Sequence, residues 1–438
     1  MTVPRRKFGI WMATALVVGN IVGSAIFMLP ASLAPFGWNA VLAWLITLAG
    51  ALCLAWVFAE LSRQLPNAGG GYGFMRLAVG ESAAFLGAWG YVVSMWTANA
   101  AITIGGVSYL SRIVPAVGAS NTASALVALG GIWLLTWVNL KGLRTAGTVQ
   151  LVTTIVKLLP FAAVIGIAVW RLAATGGSTL PPVHAGTFTF AGATGAVGLT
   201  LYAMLGVESA AIPTDAVDDA ARIVPRATML GTLLSAVVSI IATCAVVLML
   251  PAAEVASSKA PMSDFVATAF GGAAGWFVAV CAVVSCFGCL NGWLFLCGEL
   301  PAAMSDAGTL PRWFGVRNAA GTPAQSILLG SVLTTLFTLL AYTRSGAAVY
   351  NFVVLIATAT NLVLYLLCAV AVLVLMRRGT IGPSWSLRLV TAGALVFVVW
   401  AFYGSGWEAL GWGAALIAAG WPAYVIARRA AARAAAVG

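Results

Sequence analysis

From residue 9 onward the chain runs as a series of long apolar stretches separated by short polar breaks, and few folds tolerate that pattern. About 20 apolar residues in a helix cross roughly 30 Å of hydrocarbon. Twelve segments reach that length, at about 9–35, 38–64, 82–113, 121–140, 147–171, 190–214, 226–251, 265–304, 325–343, 348–376, 386–405 and 408–428. Inside lipid the backbone must satisfy its own polar groups, which a helix does. The expected fold is therefore an all-α integral membrane protein embedded in a lipid bilayer. Composition agrees: 62% of residues are hydrophobic and 8% charged, against about 45–50% and about 25% in soluble domains. Several segments exceed the length required, so tilt or interruption is expected.

The net charge of +11 would point to nucleic acid in a soluble chain. Here it is a topology signal, because basic residues accumulate in cytoplasmic loops. With the N-terminus inside, 17 of the 22 Lys and Arg fall on the cytoplasmic side, and Arg112, Arg171, Lys259 and Arg344 fall outside. Lys157 alone lies within a span. This bias favours twelve spans, both termini cytoplasmic and no nucleic-acid partner. The leading PRRK resembles the start of a secretory signal, but another membrane segment follows at once, so residues 1–8 are expected to be a short cytoplasmic lead. All seven cysteines lie in apolar segments. Cys286 and Cys289 form a CxxC with no second pair or nearby His, which fits packing residues better than a metal or redox site. No cofactor is expected. No nucleophile–base set or paired carboxylates mark an enzyme, and no repeated pore loop or charge ring marks a channel. His184, alone in an outer loop, carries no chemistry.

Two spans hold residues that weaken a lipid-facing helix. The first carries 19-GNIVGS-24; the sixth carries 202-YAMLGVESAAIP-213, with Gly206, Glu208 and Ser209 at mid-membrane and Pro213 near its end. Interrupted spans in corresponding places of two halves mark a transporter binding site. If spans 1–5 and 6–10 are repeats, an odd number of spans makes the second inverted. Gly23 would permit the first break, and Asn20 would hold it through hydrogen bonds to unwound backbone. A half-helix starting near Ser24 turns free N–H groups and a positive dipole end into the cavity, which suits a carboxylate. Carbonyls before each break accept from an ammonium. Gly19 and Gly23 also fit a face for close helix packing, and that alternative stays open.

The strings GNIVGSAIFMLP at 19–30, GGGYGF at 69–74, GVESAA at 206–211, GW at 292–293 and SDAG at 305–308 carry a resemblance. They resemble the bacterial basic amino acid/polyamine antiporters of the amino acid–polyamine–organocation superfamily, with the arginine/agmatine and putrescine/ornithine exchangers most alike. The resemblance implies a leucine-transporter-like fold: one domain with a five-plus-five inverted repeat (about 9–171 and 190–376), helices 1 and 6 broken, and helices 11 and 12 at about 386–428. It also implies a homodimer through those last two helices. It places the substrate carboxylate at Ser24 and the N–H of Ala25, and the substrate ammonium on the carbonyls of Ile21, Tyr202 and Leu205. Trp293 matches a tryptophan that stacks on the substrate side chain. Ser94, Met95 and Asn99 match the distal pocket, and Tyr91 and Tyr365 match gate positions. Ala357 stands where relatives offer a hydroxyl, which Thr358 or Asn361 could replace.

Two departures from the pattern matter. Tyr202 replaces a gating tryptophan. Lys157, in 149-VQLVTTIVKLLP-160, stands where the arginine/agmatine exchanger has a small apolar residue. Other branches of the superfamily carry a lysine there, which resembles a replacement for a sodium ion, bridging helix 5 to the broken helix 1. Ionisable groups inside the membrane are functional candidates by default. Lys157 is a candidate for coupling, or else snorkels to the interface. Glu208 is a candidate gate and proton carrier, or else a structural carboxylate. Tyr72 matches a tyrosine tied to pH sensing, though loop packing explains it equally. Glu299 is read as a paired or interface residue.

The expectation is a secondary transporter in a bacterial inner membrane that exchanges amino acids or their decarboxylated amines by alternating access. Helices 1, 2, 6 and 7 would rock against 3, 4, 8 and 9. Proton-coupled amino-acid uptake using Lys157 is the alternative. The substrate itself is not encoded in any motif.

Overall fold

The apolar stretches fold as helices, and no strand occurs among the described residues. The computed structural model describes residues 9–66, 68, 70–141, 156–184, 186–208, 219–344 and 347–437. Ser209, Pro213, Arg144 and the basic lead at 5–7 lie outside them.

The first span is two helices, α1 (Ile10–Ile21) and α2 (Ser24–Leu33), bent by 40° across Val22 and Gly23. Next come α3 (Trp38–Gln64), the short α4 (Gly70–Val79), α5 (Glu81–Ile113) and α6 (Asn121–Leu140). They are followed by α7 (Leu158–Thr175) and α8 (Phe190–Tyr202), which stops where the sixth span was expected to break. The remainder are α9 (Ala220–Met249), α10 (Ala252–Ser257), α11 (Pro261–Phe270), α12 (Gly272–Asp306), α13 (Ala324–Ala341), α14 (Ala347–Arg377), α15 (Trp385–Ala419) and α16 (Trp421–Val437). Side chains set several starts: Ser120 accepts from Ala123 N–H at 3.1 Å and Thr189 from Gly192 N–H at 3.0 Å, each supplying an N-cap.

By length and composition, eight of the described helices can cross a bilayer, or nine with the bent pair counted as one. The twelve expected segments differ from this for local reasons. α5 is long enough, but Ser94, Thr97, Asn99 and Thr103 lower its apolarity; it is buried between other helices along most of its length and need not face lipid. α8 has only 13 residues because it ends at the break. The expected span 265–304 is a correction: Gly271, at φ 81°, separates α11 from α12, so 265–270 belong to a different helix. α15 departs from helical geometry at Gly406 (φ 79°, ψ 157°), between the expected spans 386–405 and 408–428.

The helices pack in two groups. α1, α3, α8 and α9 pack on one another, while α5, α6, α12 and α13 form a second set, with α14 laid along α5. Polar pairs tie neighbours inside each group, since hydroxyls and amides buried in hydrocarbon need partners. Thr47 and Thr200 meet at 2.7 Å between α3 and α8; Thr136 and Ser331 meet at 2.7 Å between α6 and α13. Asn139 donates to Asn291 Oδ1 at 3.0 Å between α6 and α12. Outside, Trp11, Leu126, Trp170, Trp385 and Trp407 are exposed. Such a surface would associate in water, and in a bilayer it meets lipid.

Candidate functional site

The two interrupted spans end against one another. Gly23 adopts an extended conformation between α1 and α2, and no side chain caps α2. A Cβ at Gly23 would lie 2.9 Å from Cys289 Sγ, so glycine lets the broken backbone lie against α12. Ala25, in the first turn of α2, lines the cavity, and the N-cap position Gly23 supplies no side-chain acceptor to that turn. Ser24 begins the helix; its side chain lies outside the described residues. On the other side α8 stops at Tyr202, and the chain turns through Gly206, whose φ of 109° suits only glycine. The Tyr202 carbonyl accepts from Leu205 N–H at 3.2 Å, and Ile21 O accepts from Gly23 N–H at 2.9 Å. A carbonyl oxygen has two lone pairs and can accept more than one bond.

Between these ends lies a cavity of about 20 Å³, room for about one water. A larger ligand fits only if the wall moves. Asn20, Ile21, Gly23 and Ala25 form one side, and Tyr202 and Leu205 another. Ser94, Ala98 and Ile102 come from α5, and Cys289 and Trp293 from α12. None of these residues carries a formal charge. The polar groups along this wall are backbone dipoles, the Asn20 amide, the Ser94 and Tyr202 hydroxyls and the Trp293 indole. Tyr202 closes one end: its hydroxyl donates to Ala98 O at 3.4 Å and its ring meets Tyr350 edge-on at 6.3 Å.

Of the positions the sequence nominated, Ile21, Gly23, Ala25, Ser94, Tyr202, Leu205 and Trp293 share this cavity. Met95, Asn99, Ala357 and Thr358 are buried but lie off its wall. Asn99 donates to Cys297 Sγ at 3.2 Å, and Thr358 donates to Gly198 O at 3.2 Å and Val354 O at 3.0 Å. Sequence reasoning missed Ala98, Ile102 and Cys289, and gave Asn20 a supporting part only. Helical spacing contains the signal: 94, 98 and 102 share a face, whereas 95 and 99 are turned by one residue. Cys289 lies one turn before Trp293 by the same rule.

Ionisable groups stand just behind the wall. Lys157, at the start of α7, is 2% exposed and donates to Gly19 O at 2.7 Å. It joins α7 to the last turn of α1, immediately before the break. Glu208 is 2% exposed; Tyr365 donates to its Oε2 at 2.6 Å, and its Oε1 has no partner among the described residues. Tyr91 lies beside the same carboxylate without hydrogen-bond geometry. Glu208 thus links the sixth-span break to α14, with Tyr91 of α5 beside it.

Further away, Tyr72 on α4 lies under the Arg76 guanidinium at 5.9 Å. Burial pushes its hydroxyl above the ordinary tyrosine range. The phenol therefore stays protonated near neutral pH, and any pH response through it needs another titrating group. Glu299 forms a two-pronged pair with Arg317, at 3.1 and 2.9 Å, partly open to solvent. Such a pair contributes little, on the order of 1 kcal/mol or less.

Residues 8–421 match the family model described as amino acid permease. The putrescine transporter PotE of Escherichia coli (strain K12) is 31% identical over 424 residues, covering 95% of each chain. A putative arginine/ornithine antiporter of Bacillus subtilis (strain 168) is 31% identical over 404 residues, covering 85% of each chain. A cadaverine/lysine antiporter of E. coli (strain K12) is 32% identical over 353 residues, 78% of this chain and 76% of the relative.

Proposed function

Because the chain belongs to the amino acid permease family, as a multi-pass membrane transporter of amino acids or amines and not an enzyme, we propose that it exchanges a cationic amino acid for a decarboxylated amine across the bacterial inner membrane. The observation that carries this reading is the meeting of two interrupted spans in an uncharged cavity walled by Trp293. An amino acid presents a carboxylate and an ammonium on one carbon. The start of α2, at Ser24 and the N–H of Ala25, suits the carboxylate; the carbonyls of Ile21, Tyr202 and Leu205 suit the ammonium. The Trp293 face then suits a cationic side chain, worth about 0.5–2 kcal/mol. The relatives named for putrescine, for arginine and ornithine, and for cadaverine and lysine support cationic substrates.

In this reading the chain crosses the membrane twelve times with both termini cytoplasmic. Spans 1–5 and 6–10 form an inverted repeat, and two copies pair through the last two spans. The group containing α1–α2, α3, α8 and α9 rocks against the group of α5, α6, α12 and α13, opening the cavity to either side in turn. Tyr202, Tyr91 with Tyr365, and Glu208 are the gates.

A second reading, proton-coupled amino-acid uptake, is favoured by the Lys157–Gly19 contact, which connects an ionisable side chain to the break. Proteoliposomes separate the two. Exchange requires internal substrate: labelled arginine, ornithine or lysine enters only vesicles preloaded with amino acid or diamine. Uptake into empty vesicles that follows an imposed proton gradient would replace exchange by the second reading. Competition by twenty amino acids, agmatine, putrescine and cadaverine identifies the substrate.

A further inference from the structure

A second cavity, of about 180 Å³, lies one to two turns further along α2 and α5, beyond Tyr202. Tyr350 is in its floor, and the edge-on Tyr202–Tyr350 contact separates it from the inner cavity. Its rim comes from the loops after α5, α10 and α13, on the side that the distribution of basic residues assigns to the exterior.

The charge of this vestibule is one-sided. Among the described residues, Lys259 is its only formally charged lining residue. Its Nζ donates to Gly118 O at 3.0 Å and has no carboxylate partner among the described residues. Asp264 is matched with Arg112 at 3.3 Å and with the Ser258 hydroxyl at 2.6 Å, and Arg344 is matched with Glu408. Tyr350 is 2% exposed, and its hydroxyl has no partner among the described residues. The Ser108 and Ser111 hydroxyls are used internally, on Lys259 O at 2.7 Å and Ser108 O at 2.6 Å. An ammonium with spare hydrogens at the rim and an unpartnered phenol at the floor remain available to a ligand.

We propose that this vestibule is an outer docking subsite for the carboxylate of the incoming amino acid, held at Lys259 Nζ and passed over Tyr350 toward Tyr202. The inference rests on the exchange reading above and adds a sorting step to it. An amino acid carries the carboxylate that Lys259 attracts. A diamine has none, and Lys259 repels its two cations. The outer face would then gather the substrate to be imported and shed the amine it has released.

The test is exchange from the outer face of right-side-out vesicles, with KM measured for ornithine and for putrescine. In Lys259→Gln the ratio of KM for ornithine to KM for putrescine is expected to rise at least about threefold, with Lys259→Arg restoring it. Tyr350→Phe should raise the ornithine KM selectively. Salt gives the same answer without a variant: raising ionic strength on the wild-type chain should raise the ratio, because screening removes the attraction. An unchanged ratio in Lys259→Gln and in high salt, or equal changes for both substrates, overturns the subsite. Wild-type vesicles that exchange none of arginine, ornithine and lysine for agmatine, putrescine or cadaverine overturn the exchange reading and the subsite with it.

Discussion

Trp293 carries the heaviest expectation placed on any single side chain, because among the described residues no charged side chain lines the cavity to select a cationic ligand. Trp293→Ala should raise the dissociation constant for a cationic amino acid about 2- to 30-fold, the range set by a lost cation–indole contact. Trp293→Phe should lose less. Equilibrium binding of labelled arginine or ornithine to purified protein checks this, and an unchanged constant removes Trp293 from the contact surface. Such residue-scale assignments were partly legible in the sequence. Gly23 and Gly206 stand out as breakers in apolar spans, and Trp293 was marked by resemblance. The register of α5 was not. Choosing 94, 95 and 99 mixed two faces, and the wall is made by 94, 98 and 102. Burial decides this: Asn99 turns to Cys297 on α12, where its amide finds a partner that the cavity does not offer.

At the scale of elements, the breaks and the side chains holding them are what set this chain apart from a stack of plain helices. Lys157 connects α7 to the Gly19 carbonyl of α1. Lys157→Ala should cut transport to below about a tenth of wild type while leaving the melting temperature within a few degrees, since it removes a buried cation that has no carboxylate counterpart among the described residues. Lys157→Gln, whose amide can still donate to Gly19 O, should retain an intermediate rate. A wild-type rate in Lys157→Ala would leave the lysine a packing role. Gly206 offers a second test. Its φ of 109° would cost an alanine on the order of 1–3 kcal/mol, so Gly206→Ala should melt earlier and transport poorly. Gly166→Ala, on α7 with nothing within 4 Å of the added methyl, should match or exceed wild-type stability. Equal stability in the two variants would remove the strain at the break. Element boundaries were readable wherever polar punctuation coincides with a helix end, as at Trp38–Gln64 and Asn121–Leu140. At 265–304 the boundary rests on the Gly271–Gly272 pair alone, a signal that glycine packing within one long helix explains as well.

At the scale of the molecule, the two packing groups meet along the line from Lys157 through the inner cavity to the vestibule at Lys259. The wide end of that line is at the face poorest in basic residues. Of the four cations there, Arg112 and Arg344 are paired with carboxylates, and Arg171 bonds the Thr268 hydroxyl at 2.6 Å and lies over the Phe265 ring at 5.2 Å. If this face is outward, as loop charge predicts, the proposed alternating access makes the vestibule the exterior mouth in the conformation described. A cysteine at Ser111, which lines the vestibule, converts that expectation into a measurement. In intact cells a membrane-impermeant maleimide should label Ser111→Cys well above the background of the native chain. That background should be low, because five of the seven native cysteines are buried and Cys53 and Cys244 are partly covered within spans. Inside-out vesicles should show no such labelling, and saturating substrate on the outer side should slow it by occupying the mouth. Labelling confined to inside-out vesicles would reverse the orientation of the chain. Labelling from both sides would mean that the barrier does not lie between the vestibule and the cytoplasm, where the proposed gates Tyr202, Glu208 and Tyr365 would form it.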